Sequence, residues 1–189
     1  HNPTMEACEI HSMSMELLTW PWMHSFFKED TEKYKFSAIN GCMIFIPYGT
    51  AVDEFQHYVY ENPDATPQQR KEFWRHTEKK YLPLLDYIDN PYLENGGRWQ
   101  AQRHIYESPF YYIDYCLAQI SAFEFWRKFN ENRDTAMTDY IKLCKEGGSM
   151  SYTELLKVPK LGSPFVEECF EQNVSYVEHW LDKVDDTAL

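Results

Sequence analysis

Basic charge, paired cysteines, strand-forming alternation and long apolar runs are all scarce in this chain, and each shortage removes a class of function. Lysine and arginine number 18 against 30 acidic residues, a net charge of −12. That balance repels phosphate backbones and leaves no basic stripe, so nucleic acid is not expected as a partner. Cationic peptides would be tolerated, although an acidic balance is too common to decide more. Cys8, Cys42, Cys116, Cys144 and Cys169 form an odd set without a C-x-x-C pair. Neither a disulfide framework nor a structural zinc knuckle follows, and a reducing compartment fits best. The longest apolar run, Cys42-Met-Ile-Phe-Ile46, is broken by Pro47 and Gly49, and no basic-then-apolar leader opens the chain. A cytoplasmic protein with no membrane segment is therefore expected.

What is present is ample material for a core. The 189 residues are 43% hydrophobic and 17% aromatic, enough for one sizeable globular domain. Few segments alternate with period two and no hairpin turn joins β-branched runs, so the fold class expected is all-α. From Thr4 to Phe27 the apolar positions Met5, Cys8, Met13, Leu17, Leu18 and Trp20 recur at helical spacing until Pro21. A second helix is predicted from about Thr31 to Asn62, bent near Pro47 and Gly49.

Thr66-Pro67-Gln-Gln69 carries the marks of a capping box, opening a helix to about Asp86. Asp89-Asn-Pro91-Tyr-Leu-Glu-Asn95-Gly96-Gly97 reads as a loop. Ser108-Pro109 starts the next helix by the same logic, with Ile113, Leu117, Ile120, Phe123, Phe125 and Trp126 as its core stripe. Further helices are predicted near Asp134–Lys145, from Ser151 with Glu154 completing a capping box, and from Ser163-Pro164 to Val184. No repeat or second domain is marked, so residues 1–189 are expected to form one helical domain, cut from something larger because His1-Asn2-Pro3 leads directly into a patterned helix.

Three groups of residues carry chemistry. Glu9 lies on a helix with a buried face, Glu16 seven residues on, His11 and Ser12 beside it; by spacing alone, Glu6, Glu9 and Glu16 read as a solvated or salt-bridged face. His104, Tyr106, Tyr111, Tyr112 and Tyr115 cluster around Pro109, where single tyrosines read as core residues with hydroxyls at the rim. Tyr111 and Tyr115 share a helical face that Tyr112 borders, and His104 is expected on the loop before the cap. Glu54-Phe-Gln-His57 is an E-x-x-H that ferritin-like bundles use twice, but it occurs once here, and His57 reads more simply as a surface residue.

Taken together, Glu9-Ile-His-Ser12, the run Arg98–Gln119, Phe45-Ile-Pro47-Tyr-Gly49-Thr-Ala-Val-Asp53-Glu-Phe-Gln-His57 and Lys80-Tyr-Leu-Pro83 resemble the zinc metallopeptidases of the oligoendopeptidase F and thimet oligopeptidase family. The resemblance covers most of the chain and implies the carboxyl-terminal part of a helical catalytic domain. It implies that Glu9 is the third zinc ligand, and that His104, Tyr112 and Tyr115 polarise the substrate, with Tyr111 and Tyr106 as alternatives to Tyr112. The other two zinc ligands of such an enzyme come from an H-E-x-x-H helix. None of the seven histidines is followed by glutamate, so that helix is expected upstream of His1. The isolated chain would then be inactive, its partners being short peptides and the missing amino-terminal part of the domain. Two other classes stay open: a non-catalytic helical interaction module with a groove formed by some of the six tryptophans, and a carboxylate-bridged metal-binding bundle.

Overall fold

Proline or glycine closely follows several of the helix ends in this chain. A computed structural model describes residues 2–188, and among these every regular element is helical. The helix α1 spans Met5–Leu18. It gives way to a 3₁₀ turn over Trp20–Trp22 with Pro21 at its start and to the single turn α2, His24–Phe27. The long α3, Thr31–Glu61, continues through Pro47. Next comes α4, Pro67–Tyr81, opened by the predicted capping box: Thr66 Oγ1 accepts from the Gln69 amide at 3.3 Å and Gln69 Oε1 accepts from the Thr66 amide at 2.8 Å. It ends at Leu82, short of the expected Asp86, because the residue before Pro83 is sterically pushed out of the helical region.

Three other expectations need correction. The loop expected at Asp89–Gly97 contains one helical turn, α5, Pro91–Glu94, which Asn90 caps by accepting from the Leu93 amide. Its end is a true glycine position: Gly96 has φ +81, and a Cβ there would lie 2.0 Å from the Lys71 carbonyl oxygen. His104 does not hang from a loop but opens the single turn α6, His104–Glu107. Neither Ser-Pro pair starts a helix. After Ser108-Pro109 the chain turns first and α7 runs Tyr112–Glu131; after Ser163-Pro164 it turns again, and α10 is Glu167–Leu181. Between them α8, Arg133–Glu146, follows the Asn132 cap, and α9, Tyr152–Leu155, follows Ser151, whose amide donates to Glu154 as predicted.

The chain divides into two compact units, one of His1–Cys42 with Leu117–Leu189 and one of Met43–Cys116. In the first, Ile10 and Leu18 of α1, Phe125 and Phe129 of α7, Leu143 of α8 and Leu155 of α9 belong to one apolar core. Ile120, Phe123, Phe125 and Trp126 of the predicted stripe are buried; Leu117 is half-buried and packs against that core, whereas Ile113 is only half-buried. Trp20, Trp126 and Trp180 pack ring to ring with centroids 5.1 to 5.8 Å apart. Asp139 is buried beneath two ammonium groups, accepting from Lys128 and Lys142 at 2.9 Å each.

In the second unit Phe55 and Trp74, both without solvent exposure, meet edge to face at 5.4 Å and are joined by Val52, Trp99, Ile105 and Tyr112. The start of α7 approaches α3 closely at Gly49. A Cβ there would lie 2.3 Å from Cys116 Sγ, and that thiol donates to the Ile46 carbonyl at 3.6 Å. Phe110 turns the chain into α7 with φ +62, a left-handed conformation that costs an ordinary residue roughly 1–2 kcal/mol. The fully buried Gln56 offsets this by accepting from the Phe110 amide at 2.8 Å, and Phe110 packs against His57 and Tyr60 at 5.0 and 5.1 Å.

Two stability experiments follow from these contacts. Gly49→Ala is expected to cost about 1–3 kcal/mol by overpacking against Cys116. In a Cys116→Ala background the same change should turn neutral or stabilising by roughly 0.5–1 kcal/mol, the helical preference of alanine over glycine. Urea unfolding of the four members of this cycle measures it, and equal effects in both backgrounds would refute the close approach. Asp139 provides the second. Burial pushes its carboxyl up, but hydrogen bonds from Lys142 and Lys128 prevail and hold it below the ordinary value. A carboxyl held low in the folded chain stabilises it fully above the unfolded value of about 3.9, and that contribution is lost as pH falls through the folded value. Asp139→Asn should therefore lower stability by about 1–3 kcal/mol at neutral pH, the gap to wild type narrowing in acid. A gap independent of pH would count against the ion pairs.

Candidate active site

Within the second unit, a short chain segment delivers His104 to a ring of phenols. The 3₁₀ turn Arg98–Ala101 ends at Gln102 in an extended conformation, and α6 then anchors itself through the buried Ile105, whose carbonyl accepts from the Tyr60 hydroxyl at 3.3 Å. His104 is thereby left at the core's margin, half-buried. Its ring lies 4.9 Å from Tyr112 and 5.8 Å from Tyr115, edge to face in both cases, and 6.0 Å from Tyr111. Tyr112 and Tyr115 are neighbours at 5.5 Å on the first turn of α7, with Phe45 behind both at 5.7 and 6.2 Å.

The phenols differ in setting. Tyr112 is 9% exposed, and burial, with Tyr48 and Cys116 nearby, pushes its hydroxyl well above the usual tyrosine value. It remains a protonated donor across the working range. Tyr111 and Tyr115 are half-buried and lie tilted against each other at 4.8 Å. Tyr106 is exposed and lies against the Trp99 ring at 5.8 Å. The histidine itself is held from behind: Gln102 Nε2 is 2.6 Å from His104 Nδ1, and Gln102 Oε1 accepts from the Tyr48 hydroxyl at 2.8 Å. Sequence reasoning singled out neither Gln102 nor Tyr48. Only the glutamine's place two residues before His104 could have flagged it, since its tyrosine partner lies 54 residues away.

Glu9 belongs to the first unit. It is half-buried on α1, and its Oε2 accepts from the Ser12 hydroxyl at 2.7 Å. His11 turns to other partners, with Nδ1 3.2 Å from the Tyr140 hydroxyl and 3.7 Å from Cys144 Sγ; burial lowers its pKa and favours the neutral ring. Among the described residues no three His, Cys, Asp or Glu side chains are grouped so that they could hold a metal ion. What α1 supplies is one carboxylate of the kind zinc accepts, oriented by an outer hydroxyl as zinc-binding carboxylates commonly are.

The other candidates resolve into ordinary roles. Glu54 accepts from Lys80 and Tyr81, at 2.6 Å each, and those hydrogen bonds, Lys80 first, hold its carboxyl low. His57 is exposed and lies 3.5 Å from Asp53, so the E-x-x-H residues face separate partners. Trp20, Trp74, Trp99 and Trp126 are buried; Trp20 and Trp126 line a partly open cavity together with Trp180, and Trp22 is exposed. No helix among the described residues is long and apolar enough to cross a membrane.

Comparison with known proteins bears on the family. The sequence pattern of peptidase family M3 matches residues 1–173. A solved structure of PZ peptidase A with an inhibitor is 58% identical, with a TM-score of 0.96 over 98% of this chain and 33% of its own. An X-ray structure of a protein provisionally named oligoendopeptidase F is also 58% identical, with a TM-score of 0.97 over 100% of this chain and 33% of its own. A protein provisionally named oligoendopeptidase F from Bacillus anthracis str. Ames is 51% identical, with a TM-score of 0.85 over 100% of this chain and 30% of its own. This chain thus spans about a third of the length of these relatives. No curated protein sequence matches it at the same stringency. A family pattern matched over residues 1–173 and identities of 51–58% across nearly the whole chain make it a member of peptidase family M3.

Proposed function

We propose that this chain is the substrate-polarising part of a zinc-dependent oligoendopeptidase that hydrolyses peptide bonds in short, unstructured peptides. The observation that carries the reading is the convergence of His104, Tyr112 and Tyr115, with ring centroids 4.9 to 5.8 Å apart, on a single wall. Hydrolysis of a peptide bond turns a carbonyl oxygen into an oxyanion, and a fixed set of donors aimed at that oxygen lowers the barrier by stabilising the charge as it forms. The hydroxyls of Tyr112 and Tyr115 and a ring N–H of His104 are such donors. Tyr112 is immobilised by its packing against Phe45 and Tyr48, so little reorganisation is needed when charge develops.

Glu9 would be the one zinc ligand in this chain, with Ser12 orienting its carboxylate, and two histidines of an H-E-x-x-H helix would complete the set from the rest of the enzyme. Bound zinc supplies Lewis-acid polarisation and an activated water. Without the remaining part of the catalytic domain the chain would be inactive. All five cysteines are free thiols, in keeping with work in a reducing, cytoplasmic setting.

In the complete enzyme, Tyr115→Phe is expected to lower kcat on a short fluorogenic peptide by about 10²- to 10³-fold, the effect of removing one oxyanion donor, with the helical circular dichroism unchanged. Glu9→Gln should abolish turnover and reduce bound zinc, measured by metal analysis of the purified protein. Wild-type rates in both variants would rule out these site assignments.

A further inference from the structure

The hydrogen bonds behind His104 run in one direction, and Tyr48 sets it. A guanidinium has only donors. That of Arg98 lies over the Tyr48 ring, 4.7 Å from its centroid, and its charge tempers the upward push that burial gives this hydroxyl. The proton of that hydroxyl goes to Gln102 Oε1 at 2.8 Å. With the oxygen end of the amide thus engaged, its nitrogen end faces His104 Nδ1 at 2.6 Å. An amide nitrogen can only donate, so Nδ1 must accept, and a neutral imidazole that accepts at Nδ1 carries its proton on Nε2.

We propose that Gln102 and Tyr48 are positioning residues that hold His104 as the Nε2–H tautomer, leaving that N–H as the donor presented to a substrate oxygen. Glutamine alone would not suffice. A free amide could turn over and accept from an Nδ1–H with equal ease, which would leave a bare lone pair at Nε2, repelling a carbonyl oxygen. Tyr48 removes that ambiguity because its hydroxyl has one proton to give and gives it to the amide oxygen. Arg98 is in turn fixed, donating to the Tyr87 hydroxyl at 3.2 Å and lying 3.8 Å from the fully buried Glu78 carboxylate. The inference rests on the reading of His104 as a substrate-facing donor, but the tautomer can be observed without substrate.

Nitrogen-15 spectra of the histidine rings in this protein, with His104 assigned by its loss in His104→Gln, test the proposal directly. The expected wild-type signature is a protonated Nε2 and an unprotonated Nδ1. Gln102→Glu replaces the donor by a carboxylate that only accepts, so the proton should move to Nδ1 or both nitrogens should be protonated. Tyr48→Phe keeps the ring and should give a mixture of the two tautomers. A wild-type ring protonated at Nδ1 overturns the proposal, as does a pure Nε2–H signature retained in both variants. Kinetics of the complete enzyme separate the two layers of argument. Gln102→Glu should lower kcat by about 10²- to 10³-fold with KM little changed, as when one oxyanion donor is lost. A switched tautomer with wild-type turnover would uphold the relay and refute the role given to His104.

Discussion

A carboxylate with no access to water must be neutralised where it lies, and Glu78 imposes that requirement on the second unit. Its side chain is fully buried, accepting from Arg75 at 3.1 Å and from the Tyr87 hydroxyl, with Arg98 at 3.8 Å. Burial pushes the Tyr87 hydroxyl up to about 12, with the hydrogen bond to Glu78 adding to it, so it stays a donor. Removing one partner from such a cluster leaves an uncompensated buried charge, typically worth 3–5 kcal/mol. The consequence is positional. Glu78 belongs to α4 and Arg98 to the turn just before His104, so satisfying one buried charge fixes the segment that presents the histidine.

The phenol wall is set from its other side by backbone geometry. Phe110 adopts φ +62 although a bulky aromatic residue is a poor occupant of the left-handed region, and Gln56 accepts its amide proton from within the core. That turn delays the start of α7 until Tyr112, placing Tyr112 and Tyr115 on the first turn of the helix. Gly49 completes the arrangement, since any larger residue would collide with Cys116 in the next turn of α7. Strain at Phe110 and the missing Cβ at Gly49 thus serve one end, a rigid approach of the tyrosines to His104.

Much of this architecture is readable without coordinates, and the limits of that reading are physical. The capping boxes at Thr66 and Ser151 depend on residues three apart, so local sequence specifies them. The Ser-Pro pairs at Ser108 and Ser163 carry the same local signal, yet no helix starts there. At Ser108 the outcome is decided by Gln56, 54 residues from the amide it accepts, which no local pattern can reveal. The cluster of His104 with Tyr112 and Tyr115 was visible because its members lie within one short run. The Gln102–Tyr48 support was not, because its meaning arises only when α3 is folded against the 3₁₀ turn. Ile113 shows a similar limit, sharing the period of Phe123 and Trp126 but not their burial, whereas the half-buried Leu117 packs against the core of the first unit.

The chemistry of the wall is one-sided, and that bears on how the proposed enzyme would be assembled. Tyr112 is kept protonated by burial and can donate, but it cannot take a proton from water at neutral pH. His104 has its Nδ1 against the Gln102 amide, which leaves Nε2–H as its outward group and no lone pair facing a nucleophile. In the proposed enzyme every group identified on this wall would therefore stabilise negative charge and none would generate it. Peptide hydrolysis needs both functions, a base for water as well as donors for the oxyanion. A base for water would need its own carboxylate or imidazole free to accept. In the proposed enzyme that role falls to the glutamate of an H-E-x-x-H helix, the one motif that none of the seven histidines here can form.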